Sequence, residues 1–192
     1  ATGHALVITN TGGSHADLTD DYAAIPRDMK AVAALFGKTV LREVPEEAFW
    51  AELPACRGQV SDQALLRAIH FFQDNQRVIW QAESLQQGDF QRFLQLVRAS
   101  GTSSRNQLQN VYSAVNPDEQ PVSLALSVSE MVLGDRGACR VHGGGFAGTI
   151  QAFVPLDLLD QYLETMRHHF GAHAPSAMRI RSLGATALPE SR

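Results

Sequence analysis

The sequence has little of several features that define special classes of protein. Two cysteines in 192 residues, Cys56 and Cys139, are too few for a disulfide scaffold and are typical of a reducing compartment. No apolar run approaches the roughly 18 residues that a membrane-spanning helix needs. The first residues lack the basic segment and the apolar stretch of a secretory signal. We therefore expect a cytoplasmic protein that does not contact a membrane.

An excess of charge of one sign is also missing. Sixteen Lys and Arg residues face twenty Asp and Glu residues, a net charge of -4, so electrostatics gives no reason to expect a nucleic-acid partner. Hydrophobic residues make up 44% and charged residues 19%, which is ordinary for a globular protein. The length predicts one domain over residues 1–192. The chain opens on Ala1 rather than Met, and we expect it to be a piece of a longer protein.

Helix-like and strand-like segments are mixed along the chain. Short apolar or alternating runs predict strands at residues 5–8, 138–141, 149–154 and 178–181. Caps and glycines predict helices from Pro26 to Gly37, Ser61 to Gly88, Asp89 to Gly101, from Pro117 onward, and over 156–170. Because no regular βαβ alternation is present, the pattern favours an α+β fold with a mostly antiparallel sheet.

Apolar spacing also predicts which face of two helices is buried. In the helix after Ser61, we expect five residues to point inward: Leu65, Ile69, Phe72, Ile79 and Ala82. In the helix after Pro117, the expected apolar stripe is Leu124, Val128, Met131 and Val132.

The most informative motif is glycine-rich, Gly143-Gly144-Gly145-Phe146-Ala147-Gly148. Glycines allow positive φ angles and a close approach of the backbone to another group. A phosphate-binding P-loop or a dinucleotide fingerprint would need a helix after the glycines, whereas the residues at 149–154 are strand-like. A hairpin turn between two strands remains the simpler alternative to a binding loop.

A polar loop after the first strand is the second candidate site. It runs from Asn10 to Asp17 and is followed by Asp20, Asp21 and Tyr22. A tyrosine here offers an apolar ring face and one hydroxyl, which suits a sugar. The alternative is a loop whose acidic residues merely precede a helix and favour its dipole.

Three other candidates have simpler interpretations. His168, His169 and His173 suggest a metal site, but Gly171 and a nearby proline should end the helix before they share a face, and we expect no metal there. Cys139 beside Arg140 suggests an activated thiol, although a buried strand residue is the better interpretation. His142 is assigned a role in shaping the glycine loop.

Both loops resemble segments of a known family. Residues 8–22, which contain Ile8-Thr9-Asn10-Thr11-Gly12-Gly13 and Asp20-Asp21-Tyr22, and residues 37–44 resemble the second half of galactokinases. Arg140-Val141-His142-Gly143-Gly144-Gly145-Phe146-Ala147-Gly148-Thr149 is similar to the third motif of the GHMP small-molecule kinases. Shorter matches, among them His70-Phe71-Phe72 and Leu108-Gln109-Asn110, extend the resemblance over nearly the whole chain.

The resemblance implies a fold and an activity. It implies a ferredoxin-like C-terminal domain, with helices packed on one sheet, from an enzyme that moves the γ-phosphoryl group of ATP to the anomeric hydroxyl of galactose. Tyr22 matches the family's sugar-binding tyrosine. Gly143, Gly144, Gly145 and Phe146 match the loop that borders the substrate.

The rest of the active site belongs to another part of the family's chain. The resemblance places the catalytic Asp and most contacts to ATP and Mg²⁺ in an N-terminal half, so these residues include no catalytic and no metal-binding residue, and the fragment alone is expected to be inactive. The implied partners are D-galactose, ATP and the protein's own N-terminal domain. Two alternatives remain open: another GHMP sugar kinase, for example one acting on N-acetylgalactosamine, or a non-catalytic sensor of galactose and ATP.

Overall fold

A computed structural model describes residues 3–13 and 18–180. The strands are β1 (His4–Asn10), β2 (Ala138–His142), β3 (Thr149–Pro155) and β4 (Pro175–Met178). The helices are α1 (Thr19–Leu35), α2 (Glu46–Cys56), α3 (Asp62–Gln86), α4 (Phe90–Ser103), α5 (Pro121–Leu133) and α6 (Leu159–Phe170). In this described part, each helix is either too short or too polar to cross a membrane.

The strands form one antiparallel sheet in the order β2-β3-β1-β4. Val7 of β1 pairs with Ala152 of β3, which on its other side pairs with Cys139 of β2. With helices between β1 and β2 and between β3 and β4, this is the ferredoxin-like arrangement. The predicted α+β class is confirmed.

Apolar side chains are buried in two main cores. The sheet core lies between one face of the sheet and the helices α5 and α6, and it includes Val7, Ile150, Tyr162 and Met166. The helical core lies among α1, α2 and α3, and it includes Val32, Phe49, Leu65 and Phe72. The helix α4 covers β2 through a smaller cluster of Phe93, Leu94, Val97 and Ala138.

The long helix α3 is where local signals predict the structure best. Ser61 caps it, and its side chain accepts a hydrogen bond from the backbone N–H of Ala64 at 3.1 Å. The predicted inward face of α3 is correct only in the first half of the helix, where Leu65 and Phe72 are buried. Ile79 is 52% exposed and Ala82 is also exposed, whereas Ser84 in the same half of the helix is buried.

The helix α1 begins earlier than predicted. Pro26 was expected in the first turn, but α1 starts at Thr19 and Pro26 lies inside it. Asp20 and Asp21 occupy the first turn, where carboxylates interact favourably with the helix dipole. Because proline has no backbone N–H, the carbonyl of Tyr22 does not receive the usual helical hydrogen bond from residue 26.

The predicted stop of α4 at Gly101 is wrong. The helix continues to Ser103 and then widens into a π-helical turn, Ser104–Leu108. A Cβ at Gly101 would lie 3.1 Å from the carbonyl oxygen of Cys139, so this glycine lets α4 pack closely on β2. Its role is helix–strand contact rather than termination.

The prediction for α5 is wrong in its start and in half of its face, since of the predicted stripe only Val128 and Val132 pack against the sheet core. The helix begins at Pro121 rather than Pro117, since proline is well placed at a first helical position. Leu124 is 59% exposed and Met131 is 84% exposed. The buried face is instead Val122, Ala125, Leu126, Ser129 and Leu133. Apolar residues occur on more than one side of this helix, so periodicity alone does not identify its inner face.

Two further elements differ from the prediction. The helix α2 was not predicted, and it contains Pro54 near its end. The last strand, β4, is centred upstream of the predicted 178–181, because pairing with β1 places Thr9 opposite Pro175 and Leu6 opposite Met178. Arg181, at the end of the predicted strand, and residues 14–17 of the polar loop lie outside the described residues.

Candidate functional site

The fold brings the two predicted site segments into contact. Tyr22 lies in the first turns of α1, and residues 143–148 connect β2 to β3 as a hairpin. The Tyr22 hydroxyl donates a hydrogen bond to the carbonyl oxygen of Gly145 at 2.9 Å, although the two residues are 123 positions apart. The glycine loop is therefore both the predicted hairpin turn and one side of a tertiary contact.

Gly144 packs against the ring of Tyr22. A Cβ on Gly144 would lie 2.8 Å from Cε1 of Tyr22, closer than two non-bonded carbon atoms pack. Gly144 does not have a positive φ, unlike Gly143 and Gly145. Glycine is needed at 144 because of the ring beside it, not because of its backbone conformation.

Phe146 completes this contact from the other side of the loop. Its φ is 60°, in the left-handed region that a phenylalanine seldom adopts. Its ring meets the ring of Tyr22 edge to face, with centroids 5.4 Å apart, and it packs with Leu18 and Ala147. Such a backbone persists only where surrounding contacts hold it in place.

Asn110 forms two hydrogen bonds to the glycine loop. It was not identified from the sequence as a site residue. Its side-chain amide donates to the carbonyl oxygen of Gly144 at 3.0 Å. Its backbone carbonyl accepts a hydrogen bond from the N–H of Phe146 at 2.5 Å. The only signal in the sequence was its place in the stretch Leu108-Gln109-Asn110, where nothing distinguishes an asparagine from an ordinary residue after a helix.

The same segment also binds the start of α1. The Ser113 hydroxyl donates to a carboxylate oxygen of Asp21 at 2.5 Å. Residues 110–113 thus contact the glycine loop and the turn that carries Tyr22. One segment therefore contacts both parts of the candidate site, the glycine loop and the first turn of α1.

The electrostatics keep Tyr22 neutral. Burial raises the pKa of the Tyr22 phenol above its ordinary value, and the nearby Asp21 carboxylate raises it further. Tyr22 therefore keeps its proton at neutral pH and remains a donor to Gly145. This state suits a hydrogen-bonding role and not that of a general base.

The other candidates lie apart from this contact. His142 Nδ1 is 3.0 Å from the side-chain oxygen of Gln151, within the β2–β3 pair. Cys139 is buried, and desolvation raises the pKa of its thiol to about 12, which is opposite to the activation of a nucleophile. Among residues 3–13 and 18–180, no three His, Cys, Asp or Glu side chains are grouped so as to hold a metal ion.

Comparison with known proteins finds several that are similar to this chain. No protein-family model matches the chain. It is 31% identical over 160 residues to a galactokinase of Mannheimia succiniciproducens, and 31% identical over 159 residues to one of Haemophilus influenzae. These matches cover 82% and 81% of the chain. The chain therefore matches one part of a galactokinase. It spans about two fifths of these relatives, 39% and 38% of their lengths.

A solved structure supports the fold. The crystal structure of Lactococcus lactis galactokinase in complex with galactose matches 92% of this chain and 44% of its own, with a TM-score of 0.69 and 20% sequence identity. At this identity the match concerns the fold. The likeness in sequence comes from the relatives, and both comparisons agree with a chain that corresponds to part of a galactokinase-like protein.

Proposed function

We propose that this chain is the C-terminal domain of a galactokinase. The whole protein would transfer the γ-phosphoryl group of ATP to the anomeric hydroxyl of D-galactose and form galactose 1-phosphate. This domain would supply one wall of the sugar site. Its own N-terminal domain would supply the rest, and we place the protein in the cytoplasm.

One observation carries the proposal. The two segments that resemble family motifs meet at the hydrogen bond from Tyr22 to Gly145, and the ring of Tyr22 lies against Gly144. A rigid tyrosine against a loop with little side-chain bulk is a suitable surface for a sugar, because the backbone leaves room for a ligand. Phosphoryl transfer depends mostly on positioning and electrostatics, and such a surface contributes positioning.

The hydrogen bonding limits how Tyr22 would bind a sugar. A phenol has one proton, and Tyr22 donates that proton to Gly145. A galactose hydroxyl would therefore donate to the Tyr22 oxygen rather than accept from it. This is a contact that orients the sugar and takes no part in proton transfer.

The described residues do not fit a magnesium site of their own. The carboxylate of Asp21 is occupied by Ser113, and no group of three ligating side chains is present among residues 3–13 and 18–180. A magnesium ion prefers several oxygen ligands, usually one or two carboxylates together with phosphate oxygens. We therefore assign ATP and Mg²⁺ mainly to the N-terminal part of the protein.

The proposal is tested with the full-length protein and with this chain alone. We expect galactose-dependent release of ADP from the full-length protein and none from the isolated chain, because the phosphate-binding and catalytic groups are expected elsewhere. Normal turnover by the isolated chain would contradict a shared active site.

A panel of sugars separates the alternatives. Turnover with N-acetylgalactosamine but not with galactose would indicate another sugar kinase of the same family. Galactose binding by calorimetry without ADP release would indicate a sensor.

A further inference from the structure

Asn110 has an unusual set of partners. The residue is only 2% exposed. Its amide nitrogen donates to the Gly144 carbonyl, and its backbone carbonyl accepts from Phe146. Its side-chain oxygen, Oδ1, is buried, and none of the described residues donates to it.

The orientation of this amide follows from its chemistry. A carbonyl oxygen such as that of Gly144 needs a donor, so the nitrogen of Asn110 must face it and the oxygen must point away. A buried acceptor without a donor is costly, and native structures contain few of them. An apolar side chain would avoid this cost but could not hold the loop. The hydrogen bond to Gly144 therefore leaves the side-chain oxygen of Asn110 without a donor among the described residues.

The backbone that carries Asn110 is fixed by its own contacts. The π-helical turn Ser104–Leu108 precedes it, and Gln109 has a left-handed φ of 59°. Arg67 of α3 donates to the Leu108 carbonyl at 3.3 Å. The same Arg67 forms a buried ion pair of 2.6 Å with Asp28 of α1. Through Leu108 and Arg67, the segment of Asn110 is thus attached to α1, the helix that carries Tyr22.

We infer that Asn110 is a positioning residue for the sugar site. It sets the distance between the glycine loop and Tyr22, because it holds Gly144 and Phe146 while Tyr22 holds the intervening Gly145. It does not contact the substrate itself. This inference rests on the proposed function, in which Tyr22 and the loop border the sugar.

The first test compares two variants in the full-length protein. Asn110→Asp keeps the shape but places a carboxylate oxygen against the Gly144 carbonyl, so we expect a loss of about tenfold to a hundredfold in kcat/KM for galactose. The KM for ATP should change little. Asn110→Ala removes the amide donor without adding a charge, and it serves if the first variant does not fold.

The matched control is Asn75→Asp. Asn75 lies on α3, and its Oδ1 accepts a hydrogen bond from Arg42 that an aspartate can still accept. We expect this variant to keep normal galactose kinetics. If the Asn110 variants only lower the melting temperature and keep normal kinetics below it, Asn110 is merely structural and the inference is wrong.

A double-mutant cycle tests whether Asn110 acts through Tyr22. In a Tyr22→Phe background, Asn110→Asp should cost much less in kcat/KM than it does in the wild-type protein, because the two changes disrupt the same contact. Fully additive effects would show that Asn110 acts independently of Tyr22, which would overturn the inference.

Hydrogen exchange gives a readout that does not depend on activity. We expect amides in residues 143–148 to exchange about tenfold or more faster in Asn110→Asp than in the wild-type protein or in Asn75→Asp. Faster exchange in Asn110→Asp, combined with no sugar turnover by the wild-type protein, would support the loop contact while contradicting the proposed function. Unchanged exchange in both Asn110 variants would contradict the inference whatever the kinetics.

Discussion

The two cores of this protein differ from the contact between α1 and the glycine loop. The sheet core and the helical core are apolar, continuous and buried. The candidate site lies where the helical part, through Tyr22 on α1, meets the sheet, through the glycine loop between β2 and β3. Among the residues that the structure describes, this junction contains a few polar contacts and one small apolar cluster.

The difference indicates a division of roles. Burial of large apolar side chains supplies most of the free energy of folding, whereas single neutral hydrogen bonds supply little. We therefore expect substitutions in a core to act mainly on stability, and substitutions at the junction to act mainly on function.

The largest effect is expected within a core. Phe49 is fully buried and stacks on Phe72, with ring centroids 4.8 Å apart. Phe49→Ala should lower the free energy of unfolding by about 3–5 kcal/mol, through lost burial and a cavity. Denaturant unfolding of the full-length protein measures this. If enough protein stays folded, its kinetics per folded molecule should remain normal; a specific loss of galactose affinity would contradict the division of roles.

The next effect is expected at the junction. Gly144→Val would place a branched side chain against the ring of Tyr22 and should reduce kcat/KM for galactose about a hundredfold. The backbone itself is not strained there, so the loss of stability should come only from displaced neighbours. Kinetics and thermal melting of the same preparation measure both.

Gly88→Val is the matched control for that variant. Gly88 has a φ of 72° and open space around it, at the end of α3. A valine should cost about 1–3 kcal/mol of stability from backbone strain while turnover stays normal. If Gly144→Val melts lower yet keeps near-normal turnover, the glycine loop is structural and its assignment to the site is wrong.

A smaller effect is expected for Tyr22→Phe. Loss of one neutral hydrogen bond corresponds to about 0.5–1.5 kcal/mol, or roughly two- to twelvefold weaker use of galactose. ATP affinity should change little. Unaltered galactose kinetics in Tyr22→Phe would favour the simpler interpretation, a polar loop before a helix.

The smallest effect is expected on the outer half of α3. Ile79→Ser at this exposed position should change the free energy of unfolding by less than about 0.5 kcal/mol. Denaturant unfolding of the full-length protein provides the measurement. A loss well above 1 kcal/mol would show that the remainder of the protein covers this face, and would extend the comparison to a third buried region.

Local signals in the sequence determined much of the fold. The Ser61 cap and the apolar spacing after it predicted α3, and the apolar runs around the glycines predicted β2 and β3. These signals work because caps and periodic burial depend on residues only a few positions apart. Residue types singled out Tyr22 and the glycine loop as separate candidates, and the resemblance to a family linked them to one sugar site.

The tertiary structure alone decided how those pieces act on one another. Gly101 was predicted to end a helix, and close packing on β2 explains it instead. The reason for a glycine at 144 is the ring of Tyr22, 122 positions away, and Asn110 acquires its role only because the fold places it beneath the loop. Contacts between residues so distant in sequence arise from the packing of whole helices and strands, and no local pattern encodes them.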